Sequence, residues 1–197
     1  MNSSAGGSLP GPIFNREAGR DSHLHLEVII MRDDFVQLRH QPPVELQRPR
    51  ELIIACPPMR SNVNLSRIVR AASCCGVRRL ICCGNAKIDA EITREIGDAI
   101  QIEVRRTLPA VLERLREDGH RLIGLEQTSG SHCIFDFSFP RKMVLVIGNE
   151  RLGIEDEVLR LLHETVEIPV YGLPASHNVA TAASMALYEY CRQYPKG

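Results

Sequence analysis

The chain lacks a surplus of either charge: lysine plus arginine and aspartate plus glutamate each number 24 in 197 residues, for a formal net charge of zero. Without a global basic field, any contact with nucleic acid has to come from a local patch. Long apolar runs are missing too. None approaches the ~20 residues of a membrane span, and the N-terminus has no basic stretch leading into an apolar one. Neither a membrane anchor nor a secretion signal is expected, and the expected location is cytoplasmic. Phosphate-loop chemistry is also absent. GNERLG places Gly148 and Gly153 in a GxxxxG frame, but Ile154 and Glu155 stand where a Walker loop needs Lys and Ser or Thr. No GxGxxG follows an apolar strand, which removes the ordinary dinucleotide fingerprint. The seven cysteines do not form the CxxC pairs of structural zinc. Lying in apolar segments such as LIIAC and LICCG, they read as reduced, buried thiols, and no metal site is expected.

What is present is enough apolar material, 44% of residues, to bury the core of one main domain. Residues 1–21 hold three Ser, four Gly and two Pro, the composition of a flexible tail. Residues 22–50 form an extension of ambiguous pattern, either an arm or part of an RNA contact. From Glu51 to 197 the pattern is regular. The apolar segments ELIIAC, RRLICCG, QIEVRR, RLIGLEQ, Met143–Ile147 and Thr165–Ile168 alternate with the helix-like NLSRIVRAASCC, EITREIGDAI and PAVLERLREDG, and a final helix is expected from Asn178 to Gln193. That order predicts an α/β fold, a mostly parallel sheet with helices on both faces and ligands at the carboxyl ends of its strands.

Three polar constellations need an explanation. In Ser61–Gly76, Ser61 is a plausible N-cap, and Asn64 and Arg70, a little under two turns apart, are placed to border one cleft. Their plainer reading is that of solvated helix residues. VLVIGNERLG brings Gly148, Asn149 and Glu150 to a strand exit, where Gly148 alone is an ordinary turn and Glu150 a surface carboxylate. In IPVYGLPASHNVATAAS, Ile168 ends a strand, Gly172 to Ala175 is turn chemistry, and Ser176 and Asn178 stand at the start of a helix rich in small residues. The plainer reading there is a helix cap. Two strand exits so close together point to a pocket built largely from backbone.

Taken in order and spacing, NVNLSRIVRAA, VIGNERLG and IPVYGLPASHNVATAAS resemble the three motifs of SpoU-type RNA 2′-O-ribose methyltransferases of the SPOUT superfamily. The resemblance covers roughly Glu51 to Tyr190. It implies an α/β sheet with a C-terminal trefoil knot, S-adenosylmethionine held in the knot loops, and a homodimer with the site near its interface. It assigns catalytic roles to Asn64, Arg70, Glu150, Ser176 and Asn178. It assigns cofactor contacts to Glu126, Gly148, Asn149, Ile168, Gly172 and Ser176. The implied reaction is transfer of a methyl group to a ribose 2′-hydroxyl of tRNA or rRNA. About 50 residues precede the first core strand, too few for the separate RNA-binding domain of many ribosomal members, so tRNA is favoured. Ser66, Ala71, Arg151 and His177 depart from the family pattern. The ring of His177 is expected to pack rather than touch substrate. The departures leave a second reading open, a non-catalytic RNA-binding module that keeps the fold.

Overall fold

The computed structural model describes Val28–Arg32, Phe35–Leu38 and residues 41–197. The expected tail at 1–21 and the remainder of the 22–50 extension lie outside the described residues. Contacts divide the chain between Val44 and Glu45 into two units. In the first, β1 (Val28–Arg32) pairs antiparallel with β2 (Phe35–Leu38).

The second unit holds β3 (Leu52–Cys56), α1 (Asn62–Cys74), β4 (Arg79–Cys83), α2 (Ala90–Thr93), β5 (Gln101–Arg105), α3 (Pro109–Glu117) and β6 (Arg121–Leu125). It continues with β7 (His132–Cys133), β8 (Met143–Ile147), α4 (Asp156–Leu159), β9 (Glu164–Glu167) and α5 (Val179–Gln193). Seven strands form one parallel sheet in the order β5-β4-β3-β8-β6-β9-β7. Parallel strands covered on both faces read as continuous apolar runs, which is why LIIAC and MVLVI are buried along their whole length.

The two-residue period of a strand divides the core in two. Leu52, Ile54 and Cys56 point to one face and pack with Leu65, Ile68 and Val69 of α1 and Ala183, Leu187 and Tyr190 of α5. Ile53 and Ala55 point to the other, with Leu112 and Leu115 of α3 and Val158 of α4. Of the cysteines, Cys56, Cys75, Cys82 and Cys83 are buried, Cys133 and Cys191 are half-buried, and all are free thiols. Cys74 corrects the expectation of burial, being exposed at the end of α1.

EITREIGDAI is not one helix. α2 stops at Thr93, and after Glu95 (φ 73°) and Gly97 (φ 51°) only a short 3-10 turn forms at Gly97–Ala99. Two left-handed residues so close together cannot continue a right-handed helix.

The chain steps outward from β3 through β4 to β5 on one side, and lies as β8, β6, β9 and β7 on the other. Such a reversal leaves a crevice beyond the carboxyl ends of the strands. No helix among the described residues is long and apolar enough to cross a membrane.

Candidate active site

A cleft of about 370 Å³ opens at the carboxyl ends of β6, β8 and β9, closed on one side by the start of α5. Its apolar wall comes from Leu125, Ile147, Ile168, Val170, Val179 and Ala182. Eight of the residues singled out from the sequence border it: Asn64, Glu126, Gly148, Asn149, Glu150, Ile168, Ser176 and Asn178.

Three of them form a directed chain of hydrogen bonds. Asn178 is the N-cap of α5, and its Oδ1 accepts from the N–H groups of Ala180 (3.0 Å) and Thr181 (3.3 Å). Its amide orientation is thereby set, and Nδ2 is left to donate to Asn64 Oδ1 at 3.2 Å. Asn64 then donates from Nδ2 to Glu150 Oε1 at 3.2 Å. Glu150 also accepts from the backbone N–H of Arg60 (2.9 Å) and Ser61 (3.0 Å), on the turn after β3. Glu150 thus holds the Asn64 amide, whereas Arg70 donates to Ile92 O instead.

Burial pushes the Glu150 carboxyl up, but the hydrogen bonds from Arg60, its own backbone, Asn64 and Ser61 outweigh it and hold the group below its ordinary value of 4.5. A depressed folded-state pKa adds stability that is fully present above the unfolded value and is lost as pH falls through the folded one. Glu150→Gln is therefore expected to be less stable than the natural chain near neutrality, the difference shrinking below about pH 4.5. Urea midpoints at several pH values check this, and an unchanged gap in acid would rule it out.

Glu126 anchors the floor. Its Oε1 accepts from Gln127 N (3.1 Å) and its Oε2 from Ile154 N (3.0 Å), tying β6 to the turn that follows β8. Within that turn Asn149 and Gly153 exchange backbone hydrogen bonds, N to O, at 2.8 and 3.0 Å. The Asn149 side chain is used up in shaping the turn, donating to Pro58 O (2.7 Å) and accepting from Arg151 N (2.9 Å) and Leu152 N (3.2 Å). At Gly148 a Cβ would come within 2.9 Å of Glu126 Oε2 and 3.0 Å of the Gly153 backbone, so only glycine closes this floor.

Two sequence-derived residues do not join the cleft. Six positions along an α-helix amount to about 120° around its axis, so Arg70 projects from another side of α1 than Asn64. Its exposed guanidinium donates from Nη1 to Ile92 O at 2.8 Å. Gly172 lies between Tyr171 and Leu173, which are 89% and 95% exposed, with nothing within 4 Å of its would-be Cβ. His177 is a correction in the other direction: it is exposed and lines the cleft rather than packing its ring. The expectation placed His177 on the helix start between Ser176 and Asn178, whereas α5 begins at Val179 and His177 precedes the cap residue. Gln127, Gly153, Glu167 and Val170 also border the cleft and were not singled out as site residues. Their signal was position alone, at or just beyond the ends of the strands.

Residues 51–188 match the SpoU rRNA Methylase family. The chain belongs to that family. Among its relatives, the mouse (Mus musculus) tRNA (guanosine(18)-2′-O)-methyltransferase TARBP1 is 38% identical over 93 residues, which are 47% of this chain and 6% of that protein. The tRNA (guanosine(18)-2′-O)-methyltransferase of Aquifex aeolicus is 28% identical over 173 residues, 85% of this chain and 80% of that one. The chain thus spans a small fraction of the mouse relative and four fifths of the Aquifex one. The crystal structure of the A. aeolicus TrmH/SpoU tRNA modifying enzyme superposes with a TM-score of 0.71 at 27% identity, covering 77% of this chain and 79% of that one. In this SpoU chain the departure at Ser66 has a structural use: fully buried, its Oγ donates to Asn62 O (2.6 Å) and accepts from Asp89 N (2.8 Å), fastening the segment that leads into α2.

Proposed function

We propose that this chain is an S-adenosylmethionine-dependent RNA methyltransferase that modifies a ribose 2′-hydroxyl, with tRNA as the preferred substrate and rRNA as the alternative. The observation that carries this reading is the chain Asn178–Asn64–Glu150, which links α5, α1 and the turn after β8 at the mouth of a cleft made from strand ends. The tRNA preference rests on the names of the two relatives, against a family description that names rRNA.

The cleft's chemistry fits the cofactor. An apolar wall suits an adenine face, strand-end backbone suits its polar edges, and the carboxylates of Glu126, Glu150 and Glu167 suit a cationic centre. Gly148, Asn149, Ile168 and Ser176 would hold it, over a floor that Glu126 keeps in place. Gly172 enters this set only if the loop around it folds inward. When bound, S-adenosylmethionine supplies an activated methyl group on a sulfonium.

The chain's own work is positioning and charge stabilisation. Glu150 fixes the Asn64 amide, and Asn64 with Asn178 and Ser176 presents polar groups to the ribose edge. Arg70 acts as a cationic hydrogen-bond donor rather than as a base. It donates N–H bonds to the phosphate beside the target ribose and to the oxygen as it loses its proton, the phosphate taking that proton.

In one subunit Arg70 stands outside the cleft, and a homodimer is the arrangement that gives it a site to act on. Leu152 (71% exposed), Tyr171 and Leu173 on the loops around the cleft, with Met185 and Tyr188 on α5, leave apolar surface of the kind an interface covers. With this go a trefoil knot in the C-terminal part, a methyltransferase domain over 51–197 preceded by a tail at 1–21 and an extension at 22–50, and a cytoplasmic location.

The test is transfer of label from S-adenosylmethionine to total tRNA and, separately, to ribosomal RNA. Label recovered as 2′-O-methylribose in the tRNA pool is the expected result. Cofactor binding without label in either pool would leave the non-catalytic RNA-binding module standing instead.

A further inference from the structure

The cleft that would hold the cofactor is acidic. Glu126, Glu150 and Glu167 line it against the single guanidinium of Arg151. With zero net charge overall, neither this site nor the molecule as a whole attracts a polyanion. The electrostatic grip on RNA must therefore come from somewhere else on the surface.

A second cleft, of about 360 Å³, supplies it at the free edge of the sheet, where β5 meets α3. Arg79, Arg105, Arg106 and Arg114 line it with Thr107, against one carboxylate, Asp118. Two of the arginines are fixed in place. Glu103 accepts from Arg79 Nε at 2.6 Å and from Arg105 Nη2 at 2.7 Å. Hydrogen bonding from Arg79, ahead of that from Arg105, keeps the Glu103 carboxyl below its ordinary range in spite of partial burial. Arg106 and Arg114 are exposed and have no ion-pair partner among the described residues. Four guanidiniums set against the two carboxylates of Glu103 and Asp118 leave a surplus of positive charge in this cleft, which matches a run of phosphates.

The arginine cleft also adjoins the candidate active site. Arg106 and Thr107 line a smaller cleft of about 130 Å³ together with Pro58 and Ile147. Ile147 in turn borders the main cleft. The acidic Glu155 and Glu157 stand on the smaller cleft as well, which confines a phosphate path to the side of Arg106 and Thr107.

We propose that Arg79, Arg105, Arg106 and Arg114 grip the phosphodiester backbone of the RNA substrate and lead it past Thr107 towards the main cleft. The proposal rests on the RNA-methyltransferase reading and names how that site acquires its substrate. Arg106 and Arg114 make the direct contacts, and Arg79 and Arg105, tethered to Glu103, set the spacing.

The experiment is binding of total tRNA to the full chain over a series of KCl concentrations, with S-adenosylmethionine affinity measured in parallel. The Arg106→Ala/Arg114→Ala double variant is expected to bind tRNA at least tenfold more weakly, with the slope of log affinity against log salt reduced by about 1.5 to 2. Its cofactor affinity and melting temperature should match the natural chain. Arg116→Ala removes a charge from the same helix that borders a different cleft, and should bind as the natural chain does. A double variant with unchanged affinity and slope would overturn the arginine cleft and leave the methyltransferase reading intact. A natural chain that binds cofactor but no RNA would overturn both.

Discussion

Arg70→Ala is expected to lower single-turnover methyl transfer by about 10²–10³ while leaving the dissociation constant for S-adenosylmethionine within about twofold. The separation follows from where the side chain lies. Arg70 does not border the cleft, is exposed, and makes its hydrogen bond to Ile92 O on α2. Its loss removes no cofactor contact and opens no cavity in the core, since the buried side of α1 is Leu65, Ile68, Val69 and Ala72. What it removes, on the proposed mechanism, is a positive charge for the phosphate and the developing alkoxide. Arg70→Lys should recover only part of the rate, because an ammonium keeps the charge but not the planar pair of donors. Rate from quenched-flow with labelled cofactor, and affinity from equilibrium dialysis, decide the matter. Parallel loss of both would move Arg70 from chemistry to architecture.

How far the sequence disclosed the fold and the candidate site depends on the range of the forces involved. LIIAC, LICC and MVLVI are legible as buried parallel strands because burial on both faces leaves no polar alternation. Asn178 is legible as a cap because its bonds to Ala180 and Thr181 are local. The contact between Glu150 and Arg60 joins residues 90 positions apart in sequence and exists because β8 lies beside β3, which no local pattern records. Arg70 illustrates a different failure. Its spacing from Asn64 was known, and the rotation per residue would have placed the two on different sides of α1. His177 was misjudged because it was placed on the helix start between Ser176 and Asn178, whereas it lies in the exposed loop ahead of the cap at Asn178. The helix expected over EITREIGDAI failed at Glu95 and Gly97, whose left-handed backbone outweighs the helical propensity around them.

Gly153→Ala is expected to cost about 2–4 kcal/mol of stability and to abolish cofactor binding along with it. Gly153 has φ of +67°, where an alanine side chain crowds its own carbonyl. Its new Cβ would lie 2.5 Å from Glu126 Oε2 and 3.2 Å from the carboxyl carbon. Either the turn moves away from β6, or Glu126 rotates and releases the N–H of Ile154. In both cases the close packing around Gly148, where even a Cβ would meet Glu126 Oε2 and the Gly153 backbone, is lost and the floor of the cleft opens. A double-mutant cycle separates the two causes. If the backbone conformation alone sets the cost, Gly153→Ala is equally harmful in the presence and absence of the Glu126 side chain. Collision predicts that Gly153→Ala is milder in the Glu126→Ala background, by about 1 kcal/mol or more. Denaturant midpoints of the four proteins measure the coupling, and a coupling near zero would mean that strain, not contact with Glu126, makes glycine necessary at this turn.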